Sequence, residues 1–366
     1  MSGPGFSPYP WPDTLRWPVF YLRPSTKRRS DVVPRASAHR FSSQPSKPVR
    51  LLFLGDLMCM GSDRVPRVDE RLQRLIASAD LVLGNCEAPI THAHARPNAS
   101  YRFTFDMAEE YLGTLLQRLG VRPSRCVLSV ANNHMGDQGP RGLPETLERL
   151  RRLGVIPVGA RTAGEPTVQV EVRGVRLAIA AWTHWMNCEV FGGDNGVWRV
   201  EEVDAIPATA WFETKQRTGA HCLIGTPHWD YEFRHFPAQP TRQFAKRMIG
   251  RGFDLLVGHH PHVLQPIEWL AGGICMYSVG NANGPRSLLL RRCSKLFGAF
   301  EAQLVPTGRS RGRVAAYRLH PFVQYGRGRT VCLAPLEAAP PGLRAKLEAR
   351  LRLLYPPDRH AAPLLR

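Results

Sequence analysis

The chain has 366 residues, 43% of them hydrophobic and 22% charged, and carries a formal net charge of +19 at pH 7. That length and apolar content suffice to bury a full core in one large domain, while no run approaches the roughly 20 apolar residues that cross a bilayer. The eight cysteines show no CxxC or zinc-finger spacing, and Cys126, Cys222 and Cys275, inside apolar strand-like runs, read as buried thiols, consistent with a reducing compartment. The positive field suits a polyanion, yet no helix-turn-helix, zinc-finger or RNP pattern accompanies it, so nucleic acid is not the expected partner.

In chain order, residues 1–48 are rich in Pro, Ser and Arg, almost free of acids and without an apolar period, and are expected to be a disordered basic leader. Their one apolar stretch, Leu15 to Leu22, is short and broken by Arg16 and Pro18, so it reads as neither a secretory signal nor an anchor, and a cytoplasmic location is expected. An Arg- and Ser-rich leader also fits an organellar transit peptide, without support elsewhere in the chain. Beyond it, strand-like apolar runs alternate with helical periods. Helices are predicted at Glu70 to Ala79, Ala108 to Leu119, Gly142 to Leu153, Thr241 to Arg251 and, within a carboxyl-terminal segment 336–366, at Leu343 to Leu354. Phe300 to Val305 and Arg313 to Leu319 read as a hairpin closing one sheet edge. Such alternation predicts a layered α/β fold over residues 49–335.

Five strand-like runs end in oxygen or nitrogen ligand types. Leu51 to Gly55 ends in Asp56, Leu81 to Gly84 in Asn85-Cys86-Glu87, and Cys126 to Ala131 in Asn132-Asn133-His134 with Asp137 close behind. Cys222 to Pro227 delivers His228, and Phe253 to Val257 opens into Gly258-His259-His260-Pro261-His262. Turn chemistry accounts for any one of them; recurrence at five strand ends points to a ligand site at the carboxyl end of a sheet. In an extended segment His260 and His262 would point the same way, and neutral imidazole is the commonest transition-metal ligand. Cys86 alternates away from its neighbours and is expected in the core. His184, beside Trp182 and Trp185, reads as a packed residue.

This series resembles the ligand set of calcineurin-like metallophosphoesterases. The text Ala131-Asn132-Asn133-His134, His228-Trp229 with Glu232, Gly258 to Val263 with Gln265 and Glu268, and Tyr277-Ser278-Val279-Gly280-Asn281 is similar to one branch, the CapA family of poly-γ-glutamate capsule synthesis proteins, over roughly residues 49–283. Three departures stand out. Met58 replaces the histidine of the wider superfamily, as is usual in this branch, leaving one metal position short of a ligand. Asp230 replaces a glycine, as a ligand, a partner behind the ligands or, preferably, a solvated turn residue, and Ala282 replaces an aromatic.

The resemblance implies a four-layer αββα sandwich with mixed sheets and two divalent ions, with manganese, iron and zinc all compatible with such ligands. Asp56 and His262 would serve mainly one ion, Asn133, His228 and His260 the other, with Glu87 bridging. Two carboxylates against two dications leave a surplus of about +2, which favours an anionic substrate such as a phosphoester or an acidic polymer like poly-γ-glutamate. His134 would be the general acid or anion contact, oriented by Asp137. Glu232 is a weaker catalytic candidate. Asn85, Asn132, His259, Glu268 and Asn281 are expected to contact substrate or to support the ligands, Asn281 by hydrogen bonding. Implied activities are a binuclear hydrolase of phosphoester or anionic acyl or amide bonds, or a non-catalytic accessory protein with capsule-synthesis ligases as partners; the basic charge alone motivates a third reading, a nucleic-acid phosphodiesterase. The resemblance also admits an extracytoplasmic location.

Overall fold

The chain is described here as a computed structural model covering all residues except 1–6, 42–44, 46, 60–63, 92–103, 162–163, 189–195, 285–294, 328–329 and 358–366. The apolar strands Val49–Leu57, Leu81–Cys86 and Cys126–Ser129 are buried along their length apart from Arg50, as near-continuous hydrophobic runs must be when both faces of a parallel sheet are covered. They pair in parallel, Leu51 opposite Leu81 and Val82 opposite Cys126, with Ile156–Val158 outermost. On the other side of Val49–Leu57 the same sheet continues through antiparallel Leu296–Leu304, Val314–Arg327 and Thr330–Pro335 to Arg67–Val68. The predicted hairpin therefore forms, with Phe300 opposite Leu319, but it does not close an edge. Leu296–Leu304 is buried at every position except Gln303 and takes Val49–Leu57 as its second neighbour, which leaves the short Arg67–Val68 at the edge.

A second mixed sheet runs Ile267–Leu270, Gly273–Met276, Leu255–Val257, Cys222–His228, Val175–Thr183, Thr167–Val172. One hydrophobic cluster, with Phe53 and Phe300 from the first sheet and Trp182 and Phe253 from the second, spans both. Helices cover the outer faces: Glu70–Ala77 and Gly142–Arg152 on the first sheet, Val200–Ala205 and Gln239–Gly250 on the second, giving the four αββα layers. Predicted helices fall within a few residues of those observed. Val200–Ala205, before which the Arg199 N–H donates to the Glu202 carboxylate, and Ala208–Thr218 go beyond the expectation.

The expectation of a disordered leader fails over its described part. Trp11–Leu22 is a helix, and Ala38–Arg40 pairs antiparallel with Val314–Arg327. Composition and period are poor guides here because the segment has no core of its own. Its rings dock instead on the domain, Trp17 and Tyr21 stacking on each other and edge-on to Phe233. At the other end Pro341–Leu354 buries Leu347 and Leu354, while the end of the expected tail lies outside the described residues.

Candidate metal centre

The carboxyl ends of the two sheets meet at a glycine: a Cβ on Gly55 would lie 1.8 Å from the Gly280 carbonyl oxygen. Within the second sheet, a Cβ on Gly258 would lie 2.1 Å from the Tyr277 carbonyl oxygen. Asp56, Asn85 and Glu87 arrive from the first sheet, and His228, His259, His260 and His262 from the second, all at most 7% exposed. His260 and His262 do not sit on an extended segment as expected. Their φ angles are +93° and +55°, a left-handed conformation rare outside glycine, and it turns both rings inward with centroids 5.9 Å apart.

Hydrogen bonds knit these side chains together. Asp56 accepts from the Asn85 amide at 2.8 Å and lies 3.2 Å from His259 Nδ1 and 3.5 Å from His262 Nδ1. Burial alone would raise the Asp56 carboxyl, but the bonds from His259 and His262 hold it well below the usual carboxylate range. His228 Nε2 is 2.8 Å from Asn133 Oδ1 and 3.0 Å from His260 Nδ1. Burial, with the neighbouring histidines, keeps His228 and His260 far below their ordinary value and hence neutral, the form that ligates. Burial opposes a charge on His262 as well, yet the Glu87 carboxylate and Asp56 push it up to about 10. Asn281 accepts from His262 Nδ1 at 2.8 Å, and Asn132 donates to the Asn85 side chain and the Cys86 carbonyl, so both support the cluster from behind.

Glu87 is the anomaly that tests for metal. It is fully buried, neither carboxylate oxygen has a hydrogen-bond partner, and burial followed by repulsion from Asp56 pushes its carboxyl far above the usual range. Among the described residues, ligand atoms come within 4.8 Å of one another in the triads Asp56–Glu87–His262 and Glu87–His228–His260, which share Glu87, and in Glu232–His260–His262. A carboxylate with no partner, shared between two imidazole-containing triads, fits divalent cations on both sides of it. Met58 is buried, with its carbonyl accepting from Asn283, and contributes no ligand.

Around this cluster, His134 Nδ1 is 2.7 Å from Asp137 Oδ2, and its ring stacks on Phe105 at 3.7 Å. Asp137 also accepts from the Phe105 N–H, so His134 carries its proton on Nδ1 and leaves Nε2 as the nitrogen not engaged by Asp137. Glu232 does reach the cluster. What holds it has no sequence signal: Tyr9 donates to Oε1 at 3.0 Å and lies 2.6 Å from His260 Nε2, while the Trp17 indole donates to Oε2 at 2.6 Å. A leader judged by composition hides such aromatics. Glu268 is a correction, because its carboxylate is taken by Arg242, the Tyr277 hydroxyl and the Val33 N–H, and none of these belongs to the cluster. Asp230 is in a turn, at φ +65°, but it is buried and not solvated, accepting from Gln265 and the Ala238 N–H. His184 packs between Trp229 and Phe244, and Cys86 is core, with burial pushing its thiol up to about 12.

Residues 50–283 match the family profile described as bacterial capsule synthesis protein PGA_cap. The PGA biosynthesis protein CapA of Bacillus subtilis is 30% identical over 244 residues, 63% of this chain and 61% of that protein. The capsule biosynthesis protein CapA of Bacillus anthracis is 30% identical over 163 residues, 42% of this chain and 39% of that protein, so the match spans about half the length of these relatives. A solved 5′-nucleotidase precursor from Thermus thermophilus is 16% identical with a TM-score of 0.44, covering 84% of this chain and 58% of that one. No helix among the described residues is long and apolar enough to cross a membrane. With well over half of its length inside the matching profile, the chain belongs to the bacterial capsule synthesis PGA_cap family.

Proposed function

We propose that the protein is a binuclear metal-dependent hydrolase acting on an anionic chain in the metabolism of a capsule-type acidic polymer. The observation that carries this reading is Glu87, buried without a hydrogen-bond partner at the junction of two ligand triads. Asp56 and His262 would hold one ion and His228, His260 and Asn133 the other, with Glu87 between them. Bound divalent ions supply Lewis-acid polarisation of a phosphoryl or acyl oxygen and neutralise charge developing there. The chain's own residues do the rest. His259 and Asn85 fix the Asp56 carboxylate, Asn281 fixes the His262 ring, and Asn132 fixes Asn85, so the ligands are positioned before anything binds. Asp137 holds His134 in one tautomer, and Phe105 locks the ring plane, which suits proton delivery to a leaving group from Nε2. The test is hydrolysis of a γ-linked glutamate oligomer and of a generic phosphodiester by manganese-loaded protein. Cleavage of either, abolished in His260→Ala, supports the reading; no cleavage of either removes it.

A second reading, a non-catalytic accessory protein that binds the growing acidic polymer, draws on the Tyr9 hydroxyl, which sits on His260 and Glu232 and covers the cluster from the leader side. Stoichiometric binding of the oligomer without turnover, in protein carrying its full metal complement, favours this reading. The formal charge of +19 is also what motivated a nucleic-acid phosphodiesterase, for which salt-sensitive cleavage of DNA or RNA lost in the same variant is the discriminating result.

A further inference from the structure

The helix Trp11–Leu22 also lines, through Asp13, Arg16 and Phe20, a cavity of about 300 Å³ whose walls include Arg16, Lys27, Arg28, Arg29 and Arg234 against the single carboxylate of Asp13. Arg234 is its built element. It is 3% exposed, its guanidinium lies 4.8 Å from the Phe20 ring centroid and 4.4 Å from that of Tyr231, and only Nη2 is engaged, by Asp13 at 2.5 Å. Nε and Nη1 of Arg234, and Nη1 of Arg29, are buried without a hydrogen-bond partner. A buried guanidinium with two idle donors is costly unless an acceptor completes it, and four further cations around one carboxylate leave the cavity strongly positive. A volume of this size matches a small polar ligand and not a macromolecular groove.

We propose that this cavity is an oxyanion site, binding a carboxylate or phosphate group of an acidic ligand next to the metal centre. Arg234 lies two residues from Glu232, which puts their Cα atoms at most about 7 Å apart. One anionic group held in the cavity and another at the cluster would then be neighbours on the same ligand. In taking the ligand to be an extended acidic chain, the inference rests on the proposed function; anion binding in the cavity itself does not require the metals. The cavity binds, and does no chemistry: its arginines and lysine supply positive charge and donors, and its one carboxylate, Asp13, is paired with Arg234.

The test is therefore made on chelator-treated full-length protein by calorimetric titration with a γ-linked glutamate pentamer and, separately, with inorganic phosphate. Arg234→Met removes a buried guanidinium that packs on Phe20 and Tyr231 and so tests the fold as well as the site; the diagnostic variant is Arg16→Gln/Arg28→Gln, whose side chains are exposed. Saturable, salt-sensitive binding that weakens about tenfold or more in the double variant is expected. Preference for the pentamer assigns a carboxylate chain and equal binding of phosphate assigns the phosphate group, and both support the site. No saturable binding of either probe, or equal affinity in wild type and the double variant, overturns it. Because the assay contains no metal, a failure of hydrolysis leaves this result standing, and a failure here leaves hydrolysis untouched.

Discussion

Replacing Glu87 by glutamine tests whether its buried carboxylate is kept for cations. Without metal, both of its oxygens lack partners, His228 Nε2 and His262 Nε2 stay 3.4 and 3.8 Å away, and Asp56 adds like charge. Its folded pKa is raised, so its contribution to stability is complete below the usual carboxylate range and is lost as pH rises through the folded value, at about 1.4 kcal/mol per pH unit. Glu87→Gln removes that titration and brings an amide N–H within reach of Asp56 and the imidazoles, a gain of about 1–3 kcal/mol. At about 2 °C per kcal/mol for a chain of this size, the variant should melt about 2–6 °C above wild type in chelator, with the larger gap at pH 8 than at pH 6. Manganese at 100 times its Kd should stabilise wild type by about 2.7 kcal/mol and the variant by much less. Thermal melts with and without manganese read both effects. A variant less stable than wild type in chelator, or one with the full manganese shift, refutes the reasoning.

Other expectations separate function from framework. His134→Asn should lower turnover about 100- to 10,000-fold with unchanged metal content, and Asp137→Asn should fall between; loss of metal in either would move His134 into the ligand set. Glu268→Gln should cost about 2–4 kcal/mol in denaturant unfolding by leaving Arg242 underpaired, yet leave metal content and turnover per folded molecule unchanged, whereas a selective loss of turnover would return Glu268 to the site. Burial, with Arg350 nearby, holds His235 down to about 3 from an ordinary 6.5. The unfolded chain therefore binds more protons over that interval, and stability should fall by about 1.4 kcal/mol per unit as pH drops from 6.5 toward 3. His235→Gln should flatten that acid limb; an unchanged slope contradicts the assignment.

Much of the candidate centre was legible because its polar side chains stand where buried strands stop. Asp56, Glu87, Asn133, His228, His260 and His262 each follow an apolar run, and five such runs fixed five strand ends of the fold. What sequence could not show follows from contacts without local signature. Tyr9 and Trp17 act through a docking surface on Phe233 and Glu232, remote in the chain, so a Pro- and Arg-rich leader gave no period to read. The inward turn of His260 and His262 depends on positive φ at non-glycine residues, which alternation cannot predict. The resemblance carries Glu268 toward the site, but no sequence pattern reveals Arg242, whose guanidinium claims its carboxylate. The hairpin after Phe300 was placed at an edge because the return of a strand to Val49–Leu57 is a long-range pairing.

The central claim, a pair of divalent ions flanking Glu87, is tested most directly by anomalous diffraction at the manganese edge from crystals of the manganese-loaded protein. The account predicts two peaks, one among Asp56, Glu87 and His262 and one among Glu87, His228 and His260. Well-ordered density for all these side chains with no anomalous peak beside Glu87 would contradict it.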